Sequence, residues 1–141
     1  MQAVGQIPLS MMRLPVDYLS ASAHKFHGPK GVGFLYARKN QDLSSFIHGG
    51  SQERGKRAGT ENVAGIVGMA QALVIAAQEM PYTRGKITRL RNYFAERVRH
   101  EIPNIRLNGH PYKRLPGNVN FSIEGIAVSY THLTLPTNRE V

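Results

Sequence analysis

From Val63 to Ala77 the chain reads VAGIVGMAQALVIAA, with Gln71 as its one polar side chain. An apolar run of this length has to be buried, and its spacing says how. Val63, Ile66, Val67, Ala70, Leu73, Val74 and Ala77 recur at steps of three and four, which is one face of an α-helix. Ala64, Ile75 and Ala76 widen that face, so a helix buried on more than one side is expected. Gly65 and Gly68 each cost about 1 kcal/mol against alanine in a helix, and this predicts close packing against a neighbour. A bilayer span needs about 20 predominantly apolar residues, so the run reads as a core helix and no membrane partner is expected. Thr60 stands where a side-chain oxygen can cap the first turn. Pro81 predicts a break, with a second helix from Thr83 to Glu101. In that helix Ile87, Leu90, Phe94 and Val98, with Ile102 beyond, share one side.

Such helices need a second layer. Short stretches with β-branched and aromatic residues predict strands at Val16–Ser20, Val32–Ala37, Ile105–Leu107 and Asn118–Ile123, the last with clear alternation. Turn-forming residues separate them, most densely in Gly28-Pro29-Lys30-Gly31-Val32-Gly33. No internal repeat is visible.

Charge narrows the partners. Lys and Arg number 18 against 9 Asp and Glu, for a net charge of +9. Such an excess suits an anionic partner: nucleic acid, a phosphate ligand or an acidic protein. Residues 80 to 114 hold nine of the basic side chains and two acidic ones, so most of the excess sits on the second helix and the segment just after it. No nucleic-acid-binding module is recognisable there, so the reading is a solvated helix face and no nucleic-acid partner. The start, MQAVGQIPLS, has neither the charged beginning nor the apolar run of a signal peptide, and a cytoplasmic location is the expectation. The chain has no cysteine. Disulfides, thiolate metal sites and a cysteine nucleophile are thereby excluded on this chain, and no metal site is expected.

The chemistry is concentrated in Ser20-Ala21-Ser22-Ala23-His24-Lys25-Phe26-His27-Gly28. A lysine held between apolar strands near another cation loses proton affinity and becomes an amine able to form an imine with an aldehyde. A serine hydroxyl, a histidine N–H and glycine-rich backbone N–H groups are donors for a phosphate. An aldehyde that carries a phosphate is pyridoxal phosphate. Taken alone, Ser-x-His-Lys beside glycines also fits an ordinary turn.

Two longer motifs weigh on that choice. Residues 16–37 (VDYLSASAHKFHGPKGVGFLYA) resemble the cofactor-lysine segment of cysteine desulfurases, pyridoxal-phosphate enzymes of the class V aminotransferase group. Residues 48–63 (HGGSQERGKRAGTENV) resemble a second signature of that family, with Ser51 where a third glycine is usual. Gln2-Ala3-Val4-Gly5 is similar to a third segment. The resemblance spans roughly residues 2 to 125. It implies an α/β fold: a fragment of the large domain of pyridoxal-phosphate-dependent transferases, with its parallel sheet, plus the start of the small domain. It implies that Lys25 is the catalytic Schiff-base lysine and proton carrier. It further implies that Ser22 and His24 bind the cofactor phosphate, that Gln2 bonds the phenolic oxygen, and that Thr60 reaches the phosphate in the other subunit of a homodimer. Lys30 and His27 read as structural or surface residues. His48, Arg54 and Arg57 read as loop-ordering or dimer contacts.

The implied reaction takes L-cysteine to L-alanine and passes sulfur through an enzyme persulfide toward iron–sulfur cluster or thio-cofactor assembly, with a sulfur-acceptor scaffold as partner. The family's nucleophilic cysteine, its ring-stacking histidine, its pyridine-binding aspartate and its carboxylate-binding arginine have no counterparts here. The resulting expectation is an internal piece, inactive alone. In it residues 1–80 end the large domain, 81–127 begin the small one, and 128–141 (VSYTHLTLPTNREV) resemble a translated sequencing-library adapter. A class V aminotransferase, a selenocysteine lyase or a non-enzymatic basic binding module are the alternatives.

Overall fold

The computed structural model describes residues 2–125, and the expectation for 128–141 lies outside them. The chain forms two compact units, Met1–Gly85 and Lys86–Val141.

In the first unit, β1 (Tyr18–Ser22) pairs with β2 (Gly33–Ala37), in a register running from Tyr18 opposite Ala37 to Ser22 opposite Gly33. Alternation along β1 buries Leu19 and Ala21 and leaves Tyr18, Ser20 and Ser22 outward. Leu19 and Ala21 join Val4, Ala23 and Phe26 in the buried core, and Met69, Ala72, Leu73 and Ala76 pack on it from the helix. The pair is antiparallel, whereas parallel strands were expected. Only Ala23 to Val32 connect the strands, and a parallel crossover needs a dozen or more residues, usually a helix.

The two expected helices are one. α1 runs without interruption from Val63 to Glu101 with Pro81 inside it. Proline removes the single ladder bond to the Ala77 carbonyl, and here the turns on either side carry the helix through. The packed face also differs from the one predicted. Gly65, Gly68, Met69, Ala72, Leu73, Ala76 and Met80 form the shielded stripe, whereas Val63 and Val67 are more than 60% exposed and Val74 and Ile75 are also exposed. With apolar residues nearly all round, periodicity defined a helix and could not choose its face; the position of Phe26 did. Only 6% of the helix's most apolar window is buried, so the expectation of burial on several sides is overturned. By length and composition the helix also suffices to cross a membrane; the packing that the structure records for it is against the Phe26 core.

In the second unit, β3 (Ile105–Leu107) pairs antiparallel with β4 (Phe121–Ile123), with Ile105 opposite Ile123. Phe94 of α1 meets Phe121 with ring centroids 6.5 Å apart. Arginines organise the connecting loop. Arg114 donates to the carbonyls of Asn108 (2.7 Å) and His110 (2.8 Å), and Arg91 donates to that of Leu115 (3.2 Å). Nearer the helix end Arg97 is paired with Glu101, and that bond, with a second that its guanidinium donates to the Tyr93 hydroxyl, raises the guanidinium pKa further above its ordinary value.

Candidate active site

Ser22 is the last residue of β1, and Ala23–Phe26 form a single 3₁₀ turn. Two backbone bonds clamp the turn: Ala23 N–H to the Val32 carbonyl at 3.0 Å and Gly28 N–H to the Ala23 carbonyl at 2.9 Å. Ala23 and Phe26 are 0% and 2% exposed, so the residues between them, His24 and Lys25, are turned out to solvent. His27 closes the turn in the left-handed region with φ of 65°. Glycine is required on both sides of the return. A Cβ on Gly28 would lie 2.8 Å from the Ala23 Cβ, and one on Gly33 2.5 Å from the Ala21 carbonyl oxygen. The Gly-Pro-Lys-Gly-Val-Gly segment is thus what lets the chain fold back tightly enough to present His24 and Lys25. Lys25 therefore stands one turn beyond the strand and exposed, rather than held between apolar strands.

The fold leaves these side chains free for other work. Ser22 starts the turn without a side-chain capping bond. Among the described residues Ser22, His24 and Lys25 make no side-chain hydrogen bond or ion pair. An amine, an imidazole and a hydroxyl thus lie within four residues at one strand end, all open to a ligand.

The N-terminal segment is anchored beside them. Gln6 and Ile7 N–H both bond to the Ala3 carbonyl, Val4 is in the core, and Gly5 adopts φ of 77°. A Cβ on Gly5 would sit 2.9 Å from that of Phe26, the residue after Lys25. Gln2 is exposed, three residues before that contact, so its segment and the lysine turn are fastened to the same phenylalanine.

Thr60 is exposed and does not cap α1. The cap is Asn62, whose Oδ1 accepts from Gly65 N–H at 3.0 Å while its carbonyl takes the first helical bond from Ile66. The structural role foreseen for Thr60 thus belongs to another residue. Among the described residues no hydrogen bond joins Thr60 to the Lys25 turn. The loop before it is closed by the bridge of Ile47 to Arg57, by Gly59 N–H on the Gln52 side chain (3.2 Å) and by Arg57 on the Gly59 carbonyl (3.1 Å). Arg57 thus bonds within the loop; the expectation for it was loop ordering or a dimer contact. Glu53 and Arg54 both hold left-handed φ, 49° and 60°, a strained arrangement for residues with a Cβ.

Sequence reasoning missed Arg38. Its guanidinium donates to the carbonyls of Leu14 (2.7 Å), Val16 (3.0 Å) and Met11 (3.3 Å) and lies 3.7 Å from Asp17. It ties the lead-in segment to the end of β2 and so sets where β1 begins. Opposite charges flanking two adjacent strands, Asp17 before β1 and Arg38 after β2, were the available signal.

With this geometry in view, three likenesses carry weight. The cysteine desulfurase IscS of Dictyoglomus turgidum is 52% identical over 137 residues, which is 95% of this chain and 34% of that protein. A solved NifS-like protein is 42% identical with a TM-score of 0.81, over 90% of this chain and 34% of its own. A NifS-like protein from Rickettsia africae reaches a TM-score of 0.86 at 27% identity, over 94% of this chain and 36% of its own. The chain spans about a third of the length of these relatives. The aminotransferase class-V family profile matches residues 1–141. A strand that ends in a serine, an exposed His-Lys turn clamped by glycines and this match along the whole sequence together make the chain a member of the class-V aminotransferase family.

Proposed function

We propose that this chain is the lysine-bearing part of a pyridoxal-phosphate-dependent cysteine desulfurase that takes L-cysteine to L-alanine. The observation that carries the reading is the turn Ala23–Phe26, where Ser22, His24 and Lys25 are exposed and make no side-chain hydrogen bond among the described residues. The similarity to proteins named cysteine desulfurase supports it. The donor set fits the cofactor: a primary amine for the aldehyde carbon, and a hydroxyl and an imidazole for the phosphate. When bound, pyridoxal phosphate supplies an electron sink for the bonds at the substrate Cα. Lys25 holds the cofactor through Nζ and then carries the proton removed from the substrate Cα. Ser22 and His24 fix the phosphate, and Gln2 donates to the phenolic oxygen. Thr60, exposed and relieved of capping, serves the phosphate in the second subunit of a homodimer. Transfer of sulfur needs a thiol, and this chain has none. The chain by itself is therefore inactive. A large domain ending near residue 80, a cytoplasmic location and delivery of sulfur through a scaffold to iron–sulfur cluster or thio-cofactor assembly belong to the same reading.

The test is reductive trapping. After pyridoxal phosphate and borohydride, peptide mass spectrometry is expected to find the adduct on Lys25, to lose it in Lys25→Ala and to keep it in Lys30→Ala. An adduct divided evenly between Lys25 and Lys30 would sink the assignment.

A further inference from the structure

The second unit contains a cleft of about 280 Å³ between the C-terminal part of α1 and the loop that joins β3 to β4. Among the described residues Arg91, Arg99 and Arg114 line it, with Glu96 as the one carboxylate. Its apolar lining comes from Ala95, Leu107 and Val119. Between Lys86 and Gly125 the chain carries eight Lys and Arg against three Glu, so the field around the cleft is positive as well.

The three arginines differ in how they are held. Arg91 and Arg114 are bonded to loop carbonyls, which orders their guanidinium groups in advance. A guanidinium has five N–H donors, and these bonds leave some of them over. Ligand binding then costs less side-chain ordering than it would at free arginines. Arg99 makes no hydrogen bond or ion pair among the described residues, whereas Arg97, two residues before it, is engaged by Glu101 and Tyr93. A planar guanidinium accepts a carboxylate through two parallel bonds.

We propose that this cleft docks an acidic peptide segment of a partner protein. Carboxylates of the segment lie on Arg99 and on the pre-ordered Arg91 and Arg114, and one apolar side chain rests on Ala95, Leu107 and Val119. The volume admits a few side chains, not a folded domain. A nucleic-acid strand needs stacking platforms along an extended groove, and among the described residues the only aromatic lining this cleft is Tyr112. The cleft belongs to the second unit and the Lys25 turn to the first, and the inference does not depend on the proposed reaction.

Fluorescence anisotropy with the 141-residue chain tests it, using a labelled decapeptide of Asp, Glu and Leu at about 0.15 M salt. The peptide binds, and its Asn/Gln/Leu counterpart does not. Arg99→Ala weakens binding roughly tenfold, the scale of one charge-assisted pair. Arg89→Ala removes the same charge from α1 outside the cleft lining and changes binding less than about twofold. Equal losses in the two variants would reduce the effect to overall charge and overturn the proposal. So would the absence of binding, or displacement of the peptide by oligothymidine or inorganic phosphate at comparable concentration. As a second reading, amide shifts in the ¹⁵N-labelled wild-type chain are expected at Ala95, Leu107 and Val119. Shifts spread along α1 instead would also overturn it.

Discussion

Before Gly85 the chain buries Val4, Leu19, Ala21, Ala23 and Phe26 together; after it, Pro116 is the one residue among those described to reach that degree of burial. The first unit rests on apolar packing against one phenylalanine. The second rests on arginine side chains bonded to loop carbonyls and on one contact between phenylalanine rings. The difference has consequences for what each can do. A dry core supports the clamped turn that presents Lys25, where small displacements matter to chemistry. A loop held by polar bonds is open to solvent and lined with charge, which suits recognition of a charged partner.

The largest expected effect tests the core. Phe26→Ala is expected to cost about 3–5 kcal/mol in urea unfolding, because it empties the centre of the cluster. The β3–β4 amide signals are expected to outlast those of β1–β2; if the two sets vanish together, the contrast between the units fails. A smaller effect is expected for Arg114→Ala, about 1–2 kcal/mol, confined by hydrogen exchange to residues 108–118, whose carbonyls lose their donor. Exchange that rises equally in β1 would show that the loop is not an independent support. Smallest is the comparison at the helix start. Asn62→Ala is expected to cost about 1 kcal/mol and Thr60→Ala less than about 0.5 kcal/mol. The reverse order would return the capping role to Thr60 and remove one argument for its availability to a phosphate.

These cases also separate what was readable in the residues from what was not. β3 was legible to the residue as Ile105–Leu107, since a short alternating segment between Pro103-Asn104 and a glycine turn has few other options. The lysine turn was legible because its glycines have a steric reason, seen at Gly28 and Gly33. The packed face of α1 before Pro81 was not, since nearly every direction round that stretch is apolar and only the neighbouring layer chooses one. Pro81 was misread for a related reason: one lost ladder bond ends a helix only if nothing on either side sustains it. Asn62 and Thr60 are both good caps by type, and the choice depends on where the loop from Ile47 to Gly59 releases the chain.

By itself, then, the sequence determined the chemistry that this protein carries: an amine, an imidazole and a hydroxyl in one short segment, no thiol anywhere, and a positive charge gathered after residue 80. These come from residue type and spacing, which survive any packing. Tertiary structure alone decided which helix face is covered, that the strands run antiparallel, that Asn62 does the capping, and that three arginines surround one cleft. Each of those depends on contacts between residues distant in the chain, and local periodicity carries no information about them.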